Sequence, residues 1–233
     1  MKRLISAVLL ITIFIGTLEV HADYDNVNKI KDMLTELNIV NENYFSNQDT
    51  VTRAECLVAI MRAIGVTDED IEELNGADLT GFVDTFPYSY FGCAYLAKIA
   101  YGEECIVDYE TYRTSHTLKN TDIFFFPDRS VTVKETLAFM VRCLEENDEK
   151  DLAYSIEKAK EYGLIYSEDT FSNEIDSTMR QDDFYVLLDR FLHQKRYKYY
   201  GRVNNEFRMD GYIDEEQSTT YLEFLTQRCS AEQ

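Results

Sequence analysis

Apolar residues recur at helical spacing along most of the chain. Leu57, Ile60, Met61 and Ile64 fall at i, i+3, i+4 and i+7, one face of a helix. Val27, Ile30, Met33, Leu34 and Leu37 trace another face that ends near Asn38. Tyr90, Phe91, Ala94, Tyr95, Ala97 and Ile99 trace a third, opened by Pro87 and closing near Gly102. The pattern continues over 137–144, over 148–162 and over 184–192, with shorter helices predicted at 68–74 and 219–228. Gly65 and Gly163 stand just past apolar runs, where a helix commonly turns left-handed and stops. The periodicity predicts an all-α fold.

Three of these helices share their punctuation. Thr52-Arg53-Ala54-Glu55, Thr132-Val133-Lys134-Glu135 and Thr178-Met179-Arg180-Gln181 each read Thr-x-x-Glu/Gln before an apolar run. In such a box the threonine hydroxyl accepts from the backbone N–H three residues on, and the acid or amide reaches back to the threonine N–H. Each box holds one cation, follows an aromatic (Phe45, Phe126, Phe171), and leads to an arginine near the helix end (Arg62, Arg142, Arg190). One box arises by chance; three with the same flanks indicate an internal repeat. The boxes are 80 and then 46 residues apart, so the second unit carries an insertion over 103–122.

With Phe82-Val83-Asp84, Phe126-Pro127-Asp128 and the Lys158–Ile165 run, these boxes resemble the S-layer homology family over residues 24–200. The match is full at Thr52–Glu55 and degenerate in the third copy, where Gln181 replaces Glu and the loop lacks Pro. The resemblance implies three helix-loop-helix repeats, pseudo-threefold around a central bundle of the first helices, with the boxed helices outside. The repeats would span 23–80, 81–146 and 147–200, followed by a tail over 201–233. It also implies that grooves between repeats bind secondary cell-wall polysaccharide, through acidic pyruvyl groups in many members, with the box arginine as a contact. Arg53 matches that arginine; Lys134 and Arg180 are its counterparts one position later. Asp84 belongs to the repeat-opening motif. The chain has no Trp, the family's usual loop aromatic, so Tyr44, Tyr88 and Tyr90 stand as candidates to stack on a sugar. Independently of the family, an arginine beside the free N–H groups of a helix start makes a small anion site. The alternative is that these cations balance nearby acids. On the binding reading, Arg53→Ala loses wall binding and spares the fold.

Residues 1–22 read as a signal peptide: Lys2 and Arg3, an apolar run over 4–18, then Val20-His21-Ala22. Without Lys2, Arg3 and Glu19 the remaining 211 residues carry 21 basic and 42 acidic side chains, a net −21. That charge argues against nucleic acid as a partner. It suits a secreted protein at the wall or surface of a bacterium, with no membrane contact after cleavage. Five cysteines show no Cys-x-x-Cys spacing, so no metal or cofactor site is expected; Cys56 and Cys143 read as buried, and Cys93 with Cys105 is the one plausible local disulfide. No nucleophile elbow, zinc-protease motif or phosphate loop occurs, so no catalytic residue is assigned and no enzyme is expected. Lys195–Tyr200 is basic and aromatic, either a helix C-terminus or a contact to an anionic wall polymer. The expected function is non-covalent wall attachment, with other surface-layer proteins as further partners. The alternative is a helical interaction module that has lost glycan binding.

Overall fold

The computed structural model describes residues 26–41, 45, 48–73, 82, 84–85, 89–100, 103–104, 123–145, 152–196, 198–203, 206–212 and 218–231. The leader, Tyr44, Tyr88, Cys105 and residues 105–122 of the insertion lie outside them.

The described chain is mostly helical. In order it forms α1 (26–36), α2 (Arg53–Ala63), α3 (Asp68–Glu73), α4 (Tyr90–Leu96), α5 (Val133–Leu144), α6 (Leu152–Glu161), α7 (Gln181–Leu192) and α8 (Tyr221–Ala231). Two antiparallel pairings depart from the all-helical expectation. Strand β1 (Glu103–Glu104) pairs with β2 (Ile123–Phe124), and β3 (Lys198–Val203) with β4 (Glu206–Tyr212). Lys198–Tyr200 therefore lies in a strand and not at a helix C-terminus, because α7 has already ended at Leu192. The helix predicted from Tyr90 to near Gly102 also stops early, at Leu96. Lys98 turns left-handed (φ 56°), and the Ile99 and Ala100 N–H groups both return to the Ala94 carbonyl.

The layering is the reverse of the expected one. The boxed helices α2 and α5 are buried at nearly every position, including Arg53, Glu55, Arg62, Thr136 and Arg142. Two of the helices that open the repeats lie outside them: α6 buries only Ser155 and Ala159, and described positions of α1 bury Ile30 and Leu34, whereas α4 is itself buried at Tyr90, Cys93 and Ala94. The reason is visible in composition. Cys56–Ala63 and Leu137–Leu144 are apolar on all sides apart from one arginine each, so they need cover all round, whereas α1 and α6 are amphipathic.

At their N-terminal ends the three boxed helices meet in a closed ring of backbone hydrogen bonds. The Val51 N–H donates to the Met179 carbonyl (3.0 Å), Met179 to Val131 (2.8 Å), and Val131 to Val51 (2.9 Å). All three residues are fully buried. One residue after each are the N-caps Thr52, Thr132 and Arg180. The next N–H groups then donate across the ring: Arg53 to Arg129 O, Val133 to Ser177 O, Gln181 to Asp49 O. A first-turn donor left without an intrahelical partner is thus satisfied in each case by the neighbouring loop.

At the opposite ends, three arginines repeat one task. Arg62 donates to Asn38 O (3.3 Å), Arg142 to Ile99 O (3.2 Å) and Arg190 to Leu164 O (2.9 Å). Each acceptor sits at the exit of a first-type helix, at or just after a left-handed residue: Asn38 (φ 55°), Lys98 and Gly163 (φ 65°). Helix α8 covers this end. Tyr221 is fully buried, stacks on Phe191 at 4.9 Å and donates to Cys143 O. Arg228 donates to Gly65 O, and a Cβ on Gly65 (φ 97°) would lie 2.6 Å from the Phe224 ring, so that position needs glycine twice over.

Candidate functional site

The starts of α2 and α5 form complete capping boxes. Glu55 N–H donates to Thr52 Oγ1 (3.2 Å), and Thr52 N–H donates to Glu55 Oε2 (2.7 Å). The same pair joins Glu135 and Thr132 at 3.3 and 2.9 Å. The third start differs. Thr178 is exposed and caps nothing; the N-cap is Arg180, which makes no side-chain cap bond. Asp183 stands where Glu55 and Glu135 stand. The two-residue error has a readable signal: Arg62, Arg142 and Arg190 each lie ten residues after the true N-cap.

Arg53 is an interior residue. Its side chain is 4% exposed, and its Nε donates to Phe125 O at 2.7 Å. Nη1 pairs with Glu135 Oε1 at 2.5 Å, and the guanidinium lies 4.6 Å from the Phe125 ring centroid and 5.5 Å from that of Phe139. Glu135 Oε1 also takes Arg129 Nη2 at 2.6 Å. Arg53 therefore ties the first box to the second, a contact 82 residues away that no local pattern could indicate.

The remaining candidates are dispersed. Asp84 accepts the N–H groups of Phe125 (2.8 Å) and Phe126 (2.7 Å), so its carboxylate fixes the loop that leads to the second box. Tyr90 is buried, donates to Asp68 Oδ1 at 2.7 Å and accepts from Arg62 Nε at 3.2 Å. Burial first, then the bond to Asp68, drive its pKa up. Lys134 pairs with Asp176 at 2.5 Å, and that bond raises its pKa. Cys93 is a free thiol, and Cys105 lies outside the described residues; burial pushes the Cys56 and Cys93 thiols up to about 12, which leaves neither a nucleophile.

Arg180 alone among the three box cations lies well out in solvent. Its side chain is 66% exposed, with Nε 3.6 Å from Asp183 Oδ2. It lines an open groove of about 500 Å³ with Gln48, Asp49, Gln181 and Asp182. The groove runs between the loop before the first box and the start of α7. Amide and carboxylate groups of this kind hydrogen-bond to hydroxyls, and the guanidinium offers a forked donor to an acidic substituent. Of the five lining residues only Arg180 is a binding candidate from sequence; Gln48 and Asp49 come opposite it through the ring, where the Gln181 N–H donates to Asp49 O. Among the described residues no group of His, Cys, Asp and Glu is arranged to hold a metal ion. No described helix is long and apolar enough to cross a membrane.

No known protein family, curated protein or solved structure matches the chain.

Proposed function

We propose that the chain is a secreted, non-catalytic protein of three S-layer-homology-like repeats that attaches to the bacterial cell wall by binding its secondary polysaccharide. The repeats are α1–α2, α4–α5 and α6–α7, related by a pseudo-threefold axis through the Val51–Val131–Met179 ring. That closed ring is the observation that carries the reading. The arginine ten residues past each N-cap, spent on the same kind of carbonyl three times, supports it.

The polysaccharide lies in the groove between the third and first repeats, where Arg180 meets it. Arg53 acts from behind as a tie between the first two repeats. Other surface-layer proteins are further partners at the same location.

A second reading, an interaction module without glycan recognition, is favoured by one specific observation: Arg53, Lys134 and Arg180 each have a carboxylate within 4 Å. Sedimentation with purified walls, before and after chemical removal of the polymer, separates the two. Wall attachment predicts binding that disappears with the polymer. Binding that survives its removal, or never occurs, favours the module.

A further inference from the structure

We propose that the cavity between α8 and the exits of α1 and α2 binds a short-chain carboxylate. The site is independent of the wall-binding reading and of the Arg180 groove, which lies at the other end of the boxed helices.

Helix α8 lies against the exit of α2, with Arg228 Nη1 on Gly65 O at 2.9 Å. Leu37, just past α1, and Val66, just past α2, line the space left there, and Leu225 joins them from α8. These three are its apolar lining. Its volume is about 120 Å³. An apolar cavity of about 150 Å³ holds benzene, so this one admits roughly five or six non-hydrogen atoms, the size of propionate.

The charged lining is Arg62, Asp68 and Arg228, two cations against one acid, a net +1. The Arg62 side chain is 5% exposed, and its Nε, Nη1 and Nη2 go to the Tyr90 hydroxyl, Asn38 O and Asp68. That network fixes the polar side of the cavity before any ligand arrives, so little ordering is left for binding to do. Arg62 and Asp68 cancel in charge, and the sum over the lining is the charge of Arg228. A guanidinium carries five N–H donors in a planar fork, so Arg228 can hold a carboxylate alongside its existing contacts.

The chain as a whole carries −20 and draws cations, but a cation entering here meets two arginines. Inorganic phosphate leaves Leu37, Val66 and Leu225 without a use, and a neutral amide leaves the charge without one. A carboxylate on a short alkyl chain uses both.

The experiment takes the full chain and its own reporter. Among the described residues Cys229 is the one thiol that is not buried, and it lines the cavity. Iodoacetate is a short carboxylate that alkylates thiols, and iodoacetamide is its neutral counterpart. The rate of each at Cys229 is read by mass spectrometry on the peptide that carries it. The iodoacetate-to-iodoacetamide ratio should be about tenfold or more higher in the folded chain than in urea, the gain expected from a charged hydrogen bond. Net charge alone predicts the opposite sign, because it repels iodoacetate. Propionate should protect Cys229 from iodoacetamide, and propionamide and inorganic phosphate should not. Arg228→Gln should return the ratio to its value in urea, while Cys143, whose carbonyl Tyr221 holds, stays unlabelled. If that variant loosens α8 and Cys143 reacts, protection of the parent by propionate decides. A folded ratio no higher than the one in urea overturns the proposal. So does absence of protection by propionate, or equal protection by propionamide or phosphate.

Discussion

At the starts of α2 and α5 a threonine hydroxyl and a glutamate carboxylate take up the free donors, and a buried arginine bridges the two boxes. At the start of α7 an arginine stands in the threonine's place and an aspartate in the glutamate's, and no side-chain cap forms. The backbone ring treats the three starts alike, so the difference belongs to side chains alone. Two starts spend their polar groups on one another. The third leaves Arg180 facing an open groove. The same frame supports closed junctions and an open one, and the open one is where a ligand can be met without breaking an interior ion pair.

The largest effect that would break this comparison is at Arg53. Truncation to Ala removes a buried guanidinium and two ring contacts and leaves Glu135, 14% exposed, paired with Arg129. Breaking a buried pair costs 3–5 kcal/mol, and Arg129 holds this case near the lower end, about 3 kcal/mol. Urea denaturation should show it. An unchanged midpoint would mean that the first junction is as open as the third.

Caps come next. Thr52→Ala and Thr132→Ala should each cost about 1 kcal/mol, and Thr178→Ala close to nothing. Arg180→Thr should stabilise by a few tenths to about 1 kcal/mol, since it supplies the missing hydroxyl. A Thr178→Ala cost equal to that of Thr52→Ala would restore the threonine register and remove the contrast.

The smallest effect is in pH. Burial, then the charges of Asp182, Asp169 and Glu174 acting against Arg180, raise the pKa of Asp183. A raised carboxyl pKa means the folded state holds its proton more tightly than the unfolded state does. Its contribution to stability is therefore full below the usual carboxylate range and lost as pH rises through the raised value. Asp169 runs the other way. Burial pulls it up, but Arg190, the Tyr166 N–H and the nearby charge outweigh burial and lower it, so its stabilisation is lost as pH falls. Asp183→Asn should be more stable than the parent at neutral pH, with the gain vanishing in acid. A gain that persists in acid would show that Asp183 does not titrate as placed.

Much of this was legible in the chain. Thr52, Thr132, Gly65 and Gly163 announce helix ends by local chemistry, and local chemistry is short-range. The third register is masked in the sequence because Thr178-x-x-Gln181 satisfies the same pattern as a true box, and only the ten-residue spacing to Arg190 tells against it. The layering does not follow from periodicity, which finds an apolar face on α2 and does not weigh the opposite face, apolar too. The partner of Arg53 was invisible, since Glu135 is 82 residues away and the acids of this chain are too many for any one to stand out. Lys195–Tyr200 stands out by composition, whereas the strand Lys198–Val203 is defined by its pairing with Glu206–Tyr212.

On the proposed function, the open third junction binds the wall polymer and the closed first one does not. Arg180→Ala answers it in sedimentation with purified, polymer-bearing walls. The exposed cation can be removed with little cost to the fold, and loss of one charged hydrogen bond should weaken wall binding by about tenfold or more. Wall binding as tight as the parent's, with the chain folded, would contradict the claim and leave the groove without a function.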